Sequence, residues 1–97
     1  MRQVTVRFKV KPDQAARNEE LVRVVYDELR RVGPDGFRYA TFRMEDGLTF
    51  IHLAEYEDTR DPLTELKAFA EFREGIRARC DEHPVAGELQ EIGSYGR

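Results

Sequence analysis

A chain of 97 residues has room for one domain, residues 1–97, around one modest core, and so small a core leaves apolar surface to be hidden by association. Its 16 lysines and arginines nearly balance 19 aspartates and glutamates, giving a formal charge of −3 with no block of like charge, which argues against a nucleic-acid or polybasic membrane partner. Cys80 is the only cysteine and can form neither an internal disulfide nor a C-x-x-C zinc anchor, so a reducing compartment, the cytoplasm, is expected.

From Val4 to Val10 the pattern alternates strictly, with Val4, Val6, Phe8 and Val10 on one side and Thr5, Arg7 and Lys9 on the other. A period of two with β-branched residues predicts a half-buried strand. It starts too early to leave room for a signal peptide, and no apolar run approaches the ~20 residues of a membrane span. Lys11-Pro12-Asp13 breaks the strand, with Asp13 the expected N-cap of a helix over 14–32. In that helix Leu21, Val22, Val25, Leu29 and Val32 fall within an arc of roughly 100°, the width of a core-facing stripe. Gly33-Pro34-Asp35-Gly36 stops it.

Residues 37–56 predict two strands around Asp46-Gly47, a dipeptide suited to a two-residue type I′ turn. That turn fixes the pairing: Arg43 opposite Phe50, Thr41 opposite His52, Tyr39 opposite Ala54, and Phe37 opposite Tyr56 on one face. Phe42 with Ile51, Ala40 with Leu53, and Arg38 with Glu55 share the other. Asp61-Pro62 is an N-cap followed by proline at the first helical position. Leu66, Phe69, Phe72, Ile76 and Cys80 form a second stripe, which His83-Pro84 should close, leaving 88–95 as a final strand. The order βαββαβ is an α+β, ferredoxin-like fold: a four-stranded antiparallel sheet covered on one side by two helices.

Val4, Val6, Phe8, Phe42, Met44, Ile51 and Leu53 make the more apolar sheet face and are expected beneath the helices. Thr5, Arg7 and Lys9 then join Phe37, Tyr39, Thr41, Arg43, Phe50, His52, Ala54 and Tyr56 on the uncovered face. An aromatic patch of that kind marks an interface or a binding surface. Two such sheets closing face to face would enclose a cavity. Arg7 and Arg43 could fork to an acidic or phenolic oxygen, and Tyr39, Phe50 and Tyr56 could stack on a planar skeleton, with Thr41 beside them. The alternative is that the same arginines pair with acids and merely specify a homodimer.

His52 is the candidate proton-transfer group, because an imidazole titrates near neutral pH; the competing view is a histidine hydrogen-bonded to Thr41 across the hairpin. Asn18 lies on the apolar stripe of the first helix and needs partners, either loop backbone or a ligand. Arg73 falls near the second stripe with its head free to snorkel out. His83 sits in an expected surface turn, and Cys80 is expected to pack. Two histidines far apart in sequence make no metal site.

This strand–helix–hairpin–helix–strand layout, with Leu53-Ala54-Glu55-Tyr56-Glu57-Asp58, the helix carrying Phe69 and Phe72, and the closing Glu91-Ile92-Gly93-Ser94-Tyr95, resembles the antibiotic biosynthesis monooxygenase-like family of the dimeric α/β-barrel superfamily. The resemblance implies pairing of two copies into a dimeric α/β barrel. For activity it implies a cofactor-independent oxygenase of a small aromatic or polyketide-type substrate, with His52 as base and Arg7 or Arg43 stabilising the anion. A non-catalytic homodimer that binds a small ligand is the other expectation. Enzymatic relatives often use a tryptophan near the end of the third strand and, in the haem-degrading group, a histidine on the next helix. Tyr56 stands in the first slot and Leu66 and Lys67 around the second, which argues against haem chemistry.

Overall fold

The computed structural model describes residues 1–57 and 61–96. The alternation of the first segment forms β1 (Arg2–Val10), and a 3-10 turn at Pro12–Gln14 leads into α1 (Ala15–Val32). Asp13 lies inside that turn rather than capping the helix; the N-cap is Gln14, without a side-chain cap bond. At the other end Gly33 takes the left-handed conformation (φ 58°) and returns its N–H to the Leu29 carbonyl, the stop that Gly-Pro implies. Leu21, Val22 and Val25 are buried and Leu29 partly so, whereas Val32, at the end of the stripe, is exposed.

The hairpin of β2 (Arg38–Arg43) and β3 (Thr49–Tyr56) has the pairing the sequence implies: Arg43↔Phe50, Thr41↔His52 and Tyr39↔Ala54. The connection is not a tight type I′ turn. Only Gly47 has positive φ (73°), and the loop closes through Met44 N–H to the Thr49 carbonyl. The Asp46 carboxylate accepts from Leu48 N, Thr49 N and Thr49 Oγ1. Those three donors hold its pKa down at about 2.

The second helical region is broken where one continuous helix is expected. Asp61 caps a 3-10 turn, Pro62–Glu65, by accepting from Leu63 N; α2 (Lys67–Arg73) follows, and Gly75 (φ 75°) separates it from a single turn, α3 (Ile76–Arg79). Glu28 of α1 reaches across to accept the Ala68 N–H, capping α2 from another element. Arg79 folds back to donate to the Phe72 and Glu74 carbonyls at the C-terminal end of α2.

The last strand, β4 (Cys80–Glu88), lies earlier than the expected 88–95. His83 and Pro84 sit within it, at an irregularity between the Arg7↔Val85 and Lys9↔Glu82 pairs, where an edge strand tolerates proline. Strand order is β2-β3-β1-β4, antiparallel throughout, the ferredoxin-like arrangement.

The face assignment is corrected by the β1–β3 pairing. Val4 pairs with Ala54, Val6 with His52 and Phe8 with Phe50, so the Val4–Val10 side shares a face with Tyr39, Thr41, Phe50, His52, Ala54 and Tyr56. That face lies beneath the helices: Phe8, Val10 and Phe50 pack with Leu21, Val22, Val25, Leu63, Leu66, Phe72 and Cys80. The open face carries Thr5, Arg7, Ala40, Phe42, Ile51 and Leu53 instead.

Candidate functional site

His52 sits in the middle of the covered face, 5% exposed, between strand neighbours that fix its ring. Phe8 and Tyr39 flank it at ring centroid distances of 5.4 Å and 5.6 Å, each within 14° of parallel, and Phe72 meets it edge-on from α2 at 5.5 Å. Its Nδ1 lies 2.6 Å from the Tyr39 hydroxyl and 2.9 Å from Thr41 Oγ1, which is 2.8 Å from the Tyr26 hydroxyl on α1. Cross-strand pairing puts Thr41 opposite His52, so the contact with Thr41 follows from the hairpin register. Nε2 is buried without a partner among the described residues.

Burial sets the protonation of this cluster. Removal from water lowers the His52 pKa to about 4, so the ring is neutral at neutral pH. Burial likewise raises the Tyr39 and Tyr26 hydroxyls above the usual 10, and both stay protonated.

A cavity of about 450 Å³ opens between sheet and helices beside this cluster. Val4, Val6, Phe8, Tyr39, His52 and Ala54 form its floor; Leu63, Phe69, Phe72 and Ile76 form the apolar roof. Asp61 and Thr64 stand on the 3-10 turn that borders it, and Arg73 and Arg77 bring positive charge to its wall. Arg73 lies over the Phe69 ring at 5.8 Å, and Arg77 Nη1 is 3.0 Å from His83 Nδ1. The volume and the mixture of rings with a few polar groups suit one planar molecule of modest size.

The structure scatters the residues singled out from sequence. Tyr39 and His52 line the cavity, and Thr41 bonds to His52 from behind. Phe50 and Tyr56 are buried beneath the helices away from the cavity wall, Phe50 stacked on Phe8 and Tyr56 under the Arg2 guanidinium. Arg43 is near Thr41 but turned outward, 3.1 Å from Glu19. Arg7 is on the opposite face, in register with Ile51, and cannot join His52. Asn18 is fully buried, and neither its Oδ1 nor its Nδ2 has a partner among the described residues, so loop backbone does not satisfy it. Arg77 and Asp61 are cavity residues that periodicity does not reveal; the Asp61-Pro62 cap signal marks the position of Asp61 but not its outlook. No group of three or more metal-ligating side chains exists among the described residues, and no helix there is long and apolar enough to cross a membrane.

No family model and no curated protein matches the chain. Solved structures do. A crystal structure of an antibiotic biosynthesis monooxygenase matches with a TM-score of 0.76 at 17% identity, over 96% of this chain and 100% of that one. Rv0793 from Mycobacterium tuberculosis matches with a TM-score of 0.74 at 20% identity, over 96% of each chain. SnoaB, a cofactor-independent oxygenase from Streptomyces nogalater, matches with a TM-score of 0.70 at 18% identity, over 99% of this chain and 97% of that one. At these identities the likeness establishes a shared fold over nearly the whole chain, the one the sequence resemblance implies.

Proposed function

We propose that the cavity beneath the helices is the active site of a cofactor-independent oxygenase acting on a small planar aromatic or polyketide-type substrate. The observation that carries this reading is a buried, neutral His52 whose Nε2 is unpartnered beside a ring-lined space of about 450 Å³. The shared fold with SnoaB adds support for the class of reaction.

Such a substrate, of the anthrone or quinol kind, carries an acidic C–H or O–H. Loss of its proton leaves an electron-rich anion that reduces O2 by one electron; recombination forms a C–O bond and a hydroperoxide. Loss of the second C–H proton with cleavage of the O–O bond leaves the carbonyl and water, so CH2 and O2 become C=O and H2O. The protein has to hold the plane, accept a proton and stabilise the anion. Phe8, Phe69 and Phe72 supply the walls and Arg73 and Arg77 the positive field. His52 and the Asp61 carboxylate, both on the cavity lining, are the groups proposed to handle protons there. Oxygen uptake with anthrone and quinol substrates tests the reading in wild type, His52→Ala and Asp61→Asn. Turnover that falls at least tenfold in one variant supports it. No uptake across the panel, with ligands still bound, overturns it in favour of a non-catalytic binding module.

We infer also that the open sheet face pairs with a second copy of the chain. Phe42 is 53% and Leu53 37% exposed there, next to Ile51 and bordered by Thr5 and Arg7. That is a contiguous apolar strip with a polar edge, the anatomy of an association surface. Sedimentation should give a dimer for wild type and a monomer for Leu53→Asp; a wild-type monomer at micromolar concentration refutes the pairing.

A further inference from the structure

We propose that His52 meets its ligand as a hydrogen-bond donor through Nε2–H, with Tyr39 the positioning residue that fixes this tautomer, so that the atom recognised is a phenolate, enolate or carbonyl oxygen. The inference deepens the active-site reading above and rests on the cavity being a ligand site.

The proton count around Nδ1 carries the argument. Two hydroxyls converge on that nitrogen, Tyr39 at 2.6 Å and Thr41 at 2.9 Å. The phenol is the stronger acid and the closer of the two, and the imidazole nitrogen is a better acceptor than either hydroxyl oxygen. Tyr39 therefore donates to Nδ1. Thr41 Oγ1 can accept from the Tyr26 hydroxyl, 2.8 Å away, which leaves its own proton to be shared with the same bare Nδ1. In the other tautomer an Nδ1–H would face the Tyr39 oxygen at 2.6 Å, and the phenol proton would lose its nitrogen acceptor.

A neutral imidazole that accepts at Nδ1 carries its proton at Nε2. That N–H is buried and has no acceptor among the described residues. A buried donor without a partner is costly, and an oxygen of a molecule in the adjoining cavity is the acceptor its position invites. The depressed basicity of His52 points the same way, since a weakly basic ring is a poor proton acceptor but remains a competent donor. Arg73 and Arg77 on the same cavity favour an acceptor that is anionic.

The test is 15N NMR of histidine-labelled protein at neutral pH, without ligand and then with 1-naphthol or naphthalene. The free protein should show His52 protonated at Nε2 and bare at Nδ1. Tyr39→Phe should move the proton toward Nδ1, where Thr41 can accept it, while Thr41→Val should leave it on Nε2. An Nδ1–H in wild type, or an unchanged tautomer in a folded Tyr39→Phe, overturns the assignment. On titration, naphthol should shift the Nε2 resonance and bind about tenfold tighter to wild type than to His52→Phe, the scale of one lost hydrogen bond. Naphthalene should bind the two proteins alike. Naphthol binding that leaves Nε2 unmoved overturns the ligand half of the proposal. A correct tautomer with neither probe bound overturns the ligand half as well and, unlike the other failures, brings down the active-site reading itself.

Discussion

Replacing His52 with glutamine should flatten the acid side of the stability profile. In the unfolded chain this imidazole takes up a proton near pH 6.5, and in the folded protein only near 4. Between those values the unfolded state holds more protons, so stability falls as pH drops through the interval. Above 6.5 both states are neutral; below 4 both are charged and the loss is complete. At roughly 1.4 kcal/mol per pH unit, an interval of about 2.5 units corresponds to about 3.5 kcal/mol in full, of which about 3 kcal/mol is lost by pH 4, a large fraction of the stability of a small domain. Urea denaturation of wild type and His52→Gln at pH 7.5, 6, 5 and 4 measures it. The wild type should lose about 3 kcal/mol more than the variant over that range. His83 is exposed and present in both proteins, so it cancels in the difference. Parallel profiles would refute the burial of a neutral His52, and with it the electrostatic basis of the site.

Gly75→Ala should cost about 1 kcal/mol, because Gly75 has φ 75° while a Cβ there would meet nothing closer than Arg79 Nη1 at 3.8 Å; the penalty is backbone strain, visible as a lower urea midpoint with unchanged m. Glu28→Ala should remove the cap on Ala68 N and cost about 1 kcal/mol, with earlier hydrogen exchange in α2 than in β1. Arg79→Met should be more damaging, about 2–3 kcal/mol by thermal denaturation, since two carbonyls at the end of α2 lose a charged donor.

Much of the architecture is visible in residue spacing, because its causes are local. Alternation from Val4 to Val10, the stripe of α1 and the Asp-Gly loop act over a few residues, and even with a different loop geometry the β2–β3 register stands. The face on which β1 and the hairpin agree is a different kind of fact. A slip of one residue in the β1–β3 pairing exchanges the two faces, and β3 is apolar on both, with Phe50, Ala54 and Tyr56 on one and Ile51 and Leu53 on the other. Composition therefore cannot choose, and the choice moved His52 from an outward sheet to the space under the helices. β4 escapes because Cys80-Asp81-Glu82-His83-Pro84 does not alternate and carries a proline that only an edge position excuses. Among site residues, His52, Tyr39 and Thr41 are legible as hairpin partners. Arg77 and Asp61 are not, since their approach to the cavity depends on where the helix breaks.

The break at Gly75 gives the protein a division of labour. The floor around His52 belongs to strands whose hydrogen bonds hold the whole domain, and a change there strains everything. The ceiling is made of pieces a turn or two long, joined by a glycine pivot, and each brings two or three side chains over the cavity. A lineage could therefore resize or recharge that ceiling, at Phe69, Arg73, Ile76 or Arg77, and change what fits beneath it while the scaffold stays as it is. Diversification of ligand preference should concentrate on those four positions and spare the sheet.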